Sequence, residues 1–308
     1  MADTLQKFMF ENSAVRGELV ELSETWLHVQ SRRQYPKAVR TLLGDMLAAA
    51  ALLSANLKFD GSIIMQVHGD GPVSLLVVEC DALLQLRATA KFAADVEIAD
   101  DAGLQALLNA HGHGRFAITL DPREKLPGQQ AYQGIVPLDG DDVASVIEHY
   151  MLRSEQLDTR LWLASDDKVA RGMLLQRLPG EGGSGKGGDA DLEEWNHVLT
   201  LGATLKHQEM LEVDIQTLLR RLFWQEDVRV FEPRHPRFHC SCSREKVGNM
   251  LRMLGREEID SALTEMGSLA IDCDFCGQHY AFDAVDCAQL FAADTLVDAM
   301  RPAGKLKQ

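Results

Sequence analysis

Two short cysteine pairs, Cys240-Ser-Cys242 and Cys273-Asp-Phe-Cys276, stand thirty residues apart near the C-terminal end of the chain. Each pair is short enough to present two thiolates to one tetrahedral ion. Four soft sulfur donors select zinc or an iron–sulfur cluster over calcium or magnesium. Gly277, directly after Cys276, tolerates the backbone twist that metal–sulfur bonds impose on such a turn. The expectation is one zinc ion per chain on Cys240, Cys242, Cys273 and Cys276, with three cysteines plus His279 or His239 as the competing ligand set.

A four-cysteine centre can be purely structural, or it can use its thiols as redox groups. Arg234, Arg237, Arg244 and Lys246 place four cations near the first pair. Such a field lowers thiol pKa and keeps thiolate available for oxidants, and the same charges also balance a doubly negative zinc–thiolate centre; both roles stay open. A thiol–disulfide oxidoreductase working through Cys273 and Cys276 is a further alternative. Redox Cys-x-x-Cys motifs usually sit alone at a helix N-terminus, whereas here a second pair competes for metal. Cys80 ends an apolar strand and reads as a small buried hydrophobe, and Cys287 reads as a bystander on a helix after Asp283. His111-Gly-His113-Gly reads as a turn, and Arg153, Ser154 and Glu155 as the polar end of a helix.

The chain around these groups has 308 residues, 46% of them hydrophobic, which suits two or three domains. Its formal charge is −15 and no segment is net basic, so neither a nucleic acid nor an anionic membrane is an expected partner. No apolar stretch follows Met1, and the longest apolar run, Met46 to Leu53, is far too short to span a bilayer. A cytoplasmic protein is expected, and in that compartment paired cysteines mean metal or redox chemistry rather than a disulfide framework.

Strand-like runs are Ala14 to Leu22, Gly61 to His68, Val73 to Cys80, Leu83 to Ala90, Arg115 to Leu120, Thr159 to Ser165 and Gly172 to Leu178. The second and third of these form a hairpin through Gly69-Asp70-Gly71-Pro72. Pro36 opens a long helix whose apolar residues Val39, Leu42, Leu43, Met46, Leu47, Ala50 and Leu53 recur at helical spacing, and Asp141 to Glu155 is a second helix. Strands and helices do not alternate regularly, which favours α+β over a parallel sheet. Glycine-rich residues 180–188 read as a flexible linker, and Leu192, Trp195, Val198, Leu201 and Leu205 then line one stripe of a helix that needs a partner surface. The organisation is an N-terminal α+β domain over 1–179, a linker and helical middle segment over 180–231, and a small four-cysteine zinc domain over 232–308. No Walker-type phosphate loop is present, in keeping with independence from ATP.

Phe238-His-Cys-Ser-Cys-Ser-Arg-Glu245 and Cys273-Asp-Phe-Cys-Gly-Gln-His-Tyr280 resemble the two ligand motifs of the heat shock protein 33 family of redox-regulated chaperonins. Ala14-Val-Arg-Gly-Glu18, Leu57-Lys-Phe-Asp-Gly61, Gly69-Asp-Gly-Pro72, Arg153-Ser-Glu-Gln156 and Gly172-Met-Leu-Leu-Gln176 resemble blocks of its N-terminal domain. The resemblance implies a holdase chaperone, inactive while zinc is bound. Oxidation would join Cys240 to Cys242 and Cys273 to Cys276, expel zinc and unfold part of the chain, which then binds unfolding client proteins without ATP and can form a homodimer. The stripe Leu192, Trp195, Val198, Leu201 and Leu205 is the candidate client surface. An interaction scaffold with structural zinc is the alternative function.

Overall fold

The computed structural model describes residues 3–57, 59–124, 130–179 and 189–299; the glycine-rich stretch 180–188 lies outside the described residues. The chain divides into two compact units, Met1–His239 and Cys240–Gln308. In chain order the first holds β1 (Thr4–Phe10), β2 (Val15–Leu22), α1 (Glu24–Gln30), α2 (Lys37–Ser54), β3 (Gly61–His68), β4 (Val73–Asp81), β5 (Gln85–Phe92), α3 (Leu104–Leu108), β6 (Arg115–Pro122) and β7 (Tyr132–Pro137). It continues with α4 (Val143–Ser154), β8 (Thr159–Ser165), β9 (Ala170–Arg177), α5 (Asp189–Gly202), α6 (His207–Glu212), α7 (Ile215–Leu222), β10 (Val228–Val230) and β11 (Arg237–Phe238). The second holds α8 (Arg244–Leu254), α9 (Arg256–Met266), β12 (Leu269–Asp272), β13 (His279–Phe282) and α10 (Ala284–Ala299). The architecture is α+β.

Two sheets build the first unit, ordered β10-β1-β2-β9-β8 and β11-β5-β4-β3-β6-β7. Every described pairing is antiparallel except the two-residue ladder between β11 and β5. Helix α2 touches strands of both sheets. The sequence suggests one apolar stripe for it, yet every residue from Met46 to Leu53 is buried, around the full helical circumference. The physical reason is the run Ala48-Ala49-Ala50-Ala51: methyl-sized side chains present no polar face and let both sheets approach closely. The expected strand at Leu83 starts instead at Gln85. Asp81 Oδ1 accepts the backbone N–H groups of Leu83 and Gln85, both at 2.9 Å, and Leu84 takes a left-handed φ of 59°, so the first residues of that run form the turn. The turn read at His111-Gly-His113 is present, with Asp70 accepting the backbone N–H groups of both histidines.

The five-stranded sheet is apolar on both faces. Val20 and Leu22 face α2, while Phe8, Phe10, Val15, Leu19, Met173 and Leu175 join a second core with helices α5 to α7. Strands β2 and β9 therefore lack the alternation that marks β3. One carboxyl breaks the apolar pattern on the inner face: Glu18, fully buried, with Oε1 3.8 Å from Lys7 Nζ. Burial pushes its pKa up to about 7, against the pull of Lys7 and Arg16. A carboxyl whose folded pKa is raised contributes stability that is complete below its unfolded value and disappears as pH rises through the folded one. We expect the urea midpoint of the protein to fall between about pH 4.5 and pH 7, and Glu18→Gln to flatten that slope and raise the midpoint at pH 8. A Glu18→Gln profile parallel to the parent's would contradict this.

Candidate metal centre

The second unit brings its cysteines together from two turns. Cys240 and Cys242 lie in the segment ahead of α8, whose first turn is capped by Ser243 Oγ accepting the Lys246 N–H at 3.2 Å. Cys273 and Cys276 lie in the tight connection of the β12–β13 hairpin. There Gly277 N–H donates to Cys273 O at 2.8 Å, the Cys273 N–H donates to Gln278 O at 3.0 Å, and Gly277 adopts a φ of 69°. That left-handed backbone is why glycine follows the second cysteine.

The four sulfurs lie within 4.8 Å of one another, and among the described residues no other group of cysteine, histidine or acidic side chains converges this way. Across the pairs, Cys240 Sγ is 3.7 Å from Cys273 Sγ and Cys242 Sγ is 3.4 Å from Cys276 Sγ. A tetrahedral ion at the zinc–thiolate distance of about 2.3 Å requires sulfurs about 3.8 Å apart, so the cluster fits one such ion. The His279 ring is engaged elsewhere, with Nδ1 2.7 Å from Asp272 Oδ1. Burial, followed by the crowding of its sulfur neighbours, pushes the Cys276 thiol up to about 12, against the Gln278 N–H. Burial also raises Cys273, against the N–H groups of Cys276 and Phe275. Thiols so crowded release their protons together only when a cation compensates the charge, which is what a bound metal supplies.

The role of one neighbour of the cluster escapes sequence reasoning, and the contacts of another could not be read from its charge. Tyr280 OH donates to Cys242 Sγ at 3.1 Å, an interaction that pushes the phenol up to about 12 and gives this sulfur a directional partner. Arg244, one of the four cations read beside the first pair, donates to Ala281 O at 2.7 Å, pairs with Asp286 at 2.7 Å and stacks on Phe282 at 4.2 Å. It fastens α8 to β13 and α10. The Arg234 guanidinium is likewise committed, to Ala82 O in the first unit. Cys80 is buried in the main core of the first unit and Cys287 in the core of the second, and burial raises both thiols, Cys80 to about 12.

The residues singled out on the middle segment divide. The helix ends at Gly202, so Leu205 lies past it in a turn and not on the expected stripe; Trp195, Val198 and Leu205 are buried in the core that covers the outer face of the five-stranded sheet, and Leu201 packs at its edge, whereas Leu192 is 46% exposed. The partner surface of this stripe is made by Phe8, Phe10, Val15, Met173 and Leu175. A residue on the sheet anchors the cover: buried Arg171 pairs with Glu21 at 2.7 Å and donates to Met210 O at 2.8 Å and Val213 O at 2.5 Å, the carbonyls at the end of α6. The only sequence signal for it was a charged residue inside an apolar strand.

Comparison with known proteins gives one answer. The profile of the Hsp33 protein family matches residues 3–283. The 33 kDa chaperonin of Chromobacterium violaceum is 50% identical over 297 residues, covering 96% of each chain, and that of Methylobacillus flagellatus is 44% identical over 298 residues, covering 96% of this chain and 97% of its own. The crystal structure of the 33 kDa chaperonin of Thermotoga maritima, at 20% identity, superposes with a TM-score of 0.77 over 95% of this chain and 99% of that one, a likeness of fold. The chain belongs to the Hsp33 protein family, a family of chaperones rather than of enzymes.

Proposed function

We propose that the protein is a redox-regulated, ATP-independent holdase chaperone of the cytoplasm. In the reduced state Cys240, Cys242, Cys273 and Cys276 hold one zinc ion and the chain is inactive. On oxidation each pair gives two electrons to a peroxide-type oxidant, which leaves as water, and the disulfides Cys240–Cys242 and Cys273–Cys276 form. The observation that carries this reading is the four-sulfur cluster joining two segments of a unit whose apolar core, among the described residues, has Leu251, Ile259, Leu269, Phe282 and Cys287 as its buried members.

Magnitudes set the direction of the switch. A structural zinc site contributes about 10–16 kcal/mol of apparent binding free energy to its folded module. Disulfides within the pairs close loops of three or four residues and contribute roughly 1.5–2 kcal/mol each, before any strain. Zinc ties the two pairs to each other; disulfides within pairs leave them separate. Oxidation therefore unfolds the second unit instead of locking it. The middle segment is continuous in the chain with Cys240; its net negative helix α5 is held by the apolar contacts of Trp195 and Val198, and the connection after it by Leu205. Its release exposes Leu192, Trp195, Val198, Leu201 and Leu205 together with the sheet face beneath, a patch large enough to hold unfolding proteins. The oxidised chain, with such a surface open, also has the means to form a homodimer.

Reduced protein should contain one zinc per chain. Cys276→Ser should abolish it, Cys80→Ser should leave it intact, and Tyr280→Phe should weaken zinc binding roughly 10–100-fold, measured by competition with a chelator. Full zinc content in Cys276→Ser would remove the assignment.

Peroxide-treated protein should keep an unfolding client in solution with no nucleotide, and reduced protein should do so poorly. Peptide mapping of the oxidised chain should find Cys240–Cys242 and Cys273–Cys276; a Cys240–Cys273 bridge would refute the pairing. Amide hydrogen exchange over residues 189–287 should rise on oxidation. Equal protection in both states, with equal client holding, would reduce the centre to structural zinc in an interaction scaffold.

Arg171→Met should leave Glu21 buried without its cation and two carbonyls unpaired, loosening α6 and α7 and giving the reduced, zinc-loaded protein partial client holding. A variant as inactive as its reduced parent, with unchanged exchange over 205–222, would show that Arg171 does not anchor the cover.

A further inference from the structure

Helix α2 fills the space between the two sheets of the first unit only as far as Ser54. Beyond its end the sheets border a half-open cavity of about 400 Å³, a volume within the range of small-ligand sites, roughly 300–1,000 Å³. Its walls are mostly apolar: Ile63, Ile118 and Leu120 from one sheet, Leu174 from the other, and Leu53 and Leu157 from the helical ends.

The polar groups are not scattered. Arg16 and Gln176 are register partners on β2 and β9, and both line the cavity. Gln176 is buried, and its Nε2 donates to Thr159 Oγ1 at 2.7 Å, which aims its Oε1 at Arg16. Arg16 gives that oxygen its Nε at 3.1 Å and its Nη2. The guanidinium is thus aimed by a neutral amide, and three of its N–H groups remain to donate. Nearby, Lys7 and Arg16 share one carboxyl, Glu18, which leaves this side in excess of positive charge. On the helical side, Tyr150 OH donates to Glu155 Oε1 at 3.0 Å; that acid sits in the exposed rim and repels anions from it.

A molecule that satisfies all of this has an apolar body and a single anionic end. We propose that the cavity binds one medium-chain fatty acid, with its alkyl tail between the sheets beyond α2 and its carboxylate on the remaining N–H groups of Arg16. A peptide segment fits less well, because its main-chain N–H and C=O groups would enter the apolar space unpaired. The stretch that follows Pro179 is glycine with one Glu, one Ser and one Lys, so its sequence offers no apolar side chain to fill the cavity. The site belongs to the first unit and does not depend on the cysteine centre or on the holdase reading.

The test is calorimetric titration of the reduced, zinc-loaded full chain with hexanoate, octanoate, decanoate and dodecanoate below their micellar concentrations. We expect one molecule per chain, with affinity rising roughly fourfold per added methylene until the cavity is full and levelling thereafter. Arg16→Met should weaken decanoate about ten- to a hundredfold and leave 1-decanol, which has the same tail and no charge, bound as before. Retained decanol binding also shows that the variant is folded. Leu157→Trp, which fills the space from its rim, should weaken both ligands. Several molecules per chain with no levelling, decanoate binding untouched by Arg16→Met, or no binding of any chain length would each overturn the proposal. So would one-for-one displacement of decanoate by an apolar peptide, which would make the cavity a peptide site.

Discussion

Val20 and Leu22 project from one face of β2, Val15 and Leu19 from the other, and neither set tolerates water. A sheet with two apolar faces must be covered twice, and the first unit meets that demand with unlike covers. On the inner side α2, touched by both sheets and buried on every side from Met46 to Ser54, belongs to the core. On the outer side the cover is α5 to α7, short helices of which only the second core holds the apolar side chains in place. Isolated helices of this length are marginal in water, so their structure depends on the sheet beneath them. The sheet in turn depends on them to stay dry.

That mutual dependence gives the outer cover its chemistry. Phe8, Phe10 and Phe223 meet edge-on and tilted, with centroids 5.0 to 5.8 Å apart, so aromatic contacts join the sheet to the end of α7. Arg171 adds the polar counterpart, a buried cation balanced by Glu21 and spent on two helix-end carbonyls that would otherwise be unpaired. Buried charges of this kind favour one docking geometry more than they add net stability, because removing any partner strands the others. The proposed function has this latched cover lift as a unit from the apolar face beneath it.

In the second unit the balance is different. Among the described residues five buried apolar side chains make the core that holds three helices and a hairpin, and small modules of this size rely on metal or disulfides. The four sulfurs converge from a loop ahead of α8 and a hairpin turn, and Arg244 joins the same two regions through Ala281, Phe282 and Asp286. Tyr280 completes the surroundings of Cys242. The polar and ring contacts position the sulfurs; in the proposed reading a zinc ion on them supplies the energy that keeps the segments together.

The cysteine spacing announced the centre because two thiols within four residues can reach one ion in almost any backbone, so the chemistry is local. The α+β class, the Gly61–Asp81 hairpin, α2 and α4 were legible for the same reason, since each rests on short-range periodicity or turn residues. Strand β1 was missed because its apolar side chains change face along the strand, Leu5 in one core and Phe8 and Phe10 in the other, so no single alternation runs through it, and the two-residue ladder of β11 carries no pattern at all. The contacts of Tyr280 and Arg244 were not legible because sequence distance cannot say whether a side chain turns toward a sulfur or away from it. For α5 and the turn after it, sequence determined that Trp195, Val198 and Leu205 require an apolar partner; only tertiary structure decided that the partner is the outer face of the five-stranded sheet. That choice depends on side chains nearly two hundred residues away, and long-range packing, unlike spacing, is a property of the folded chain alone.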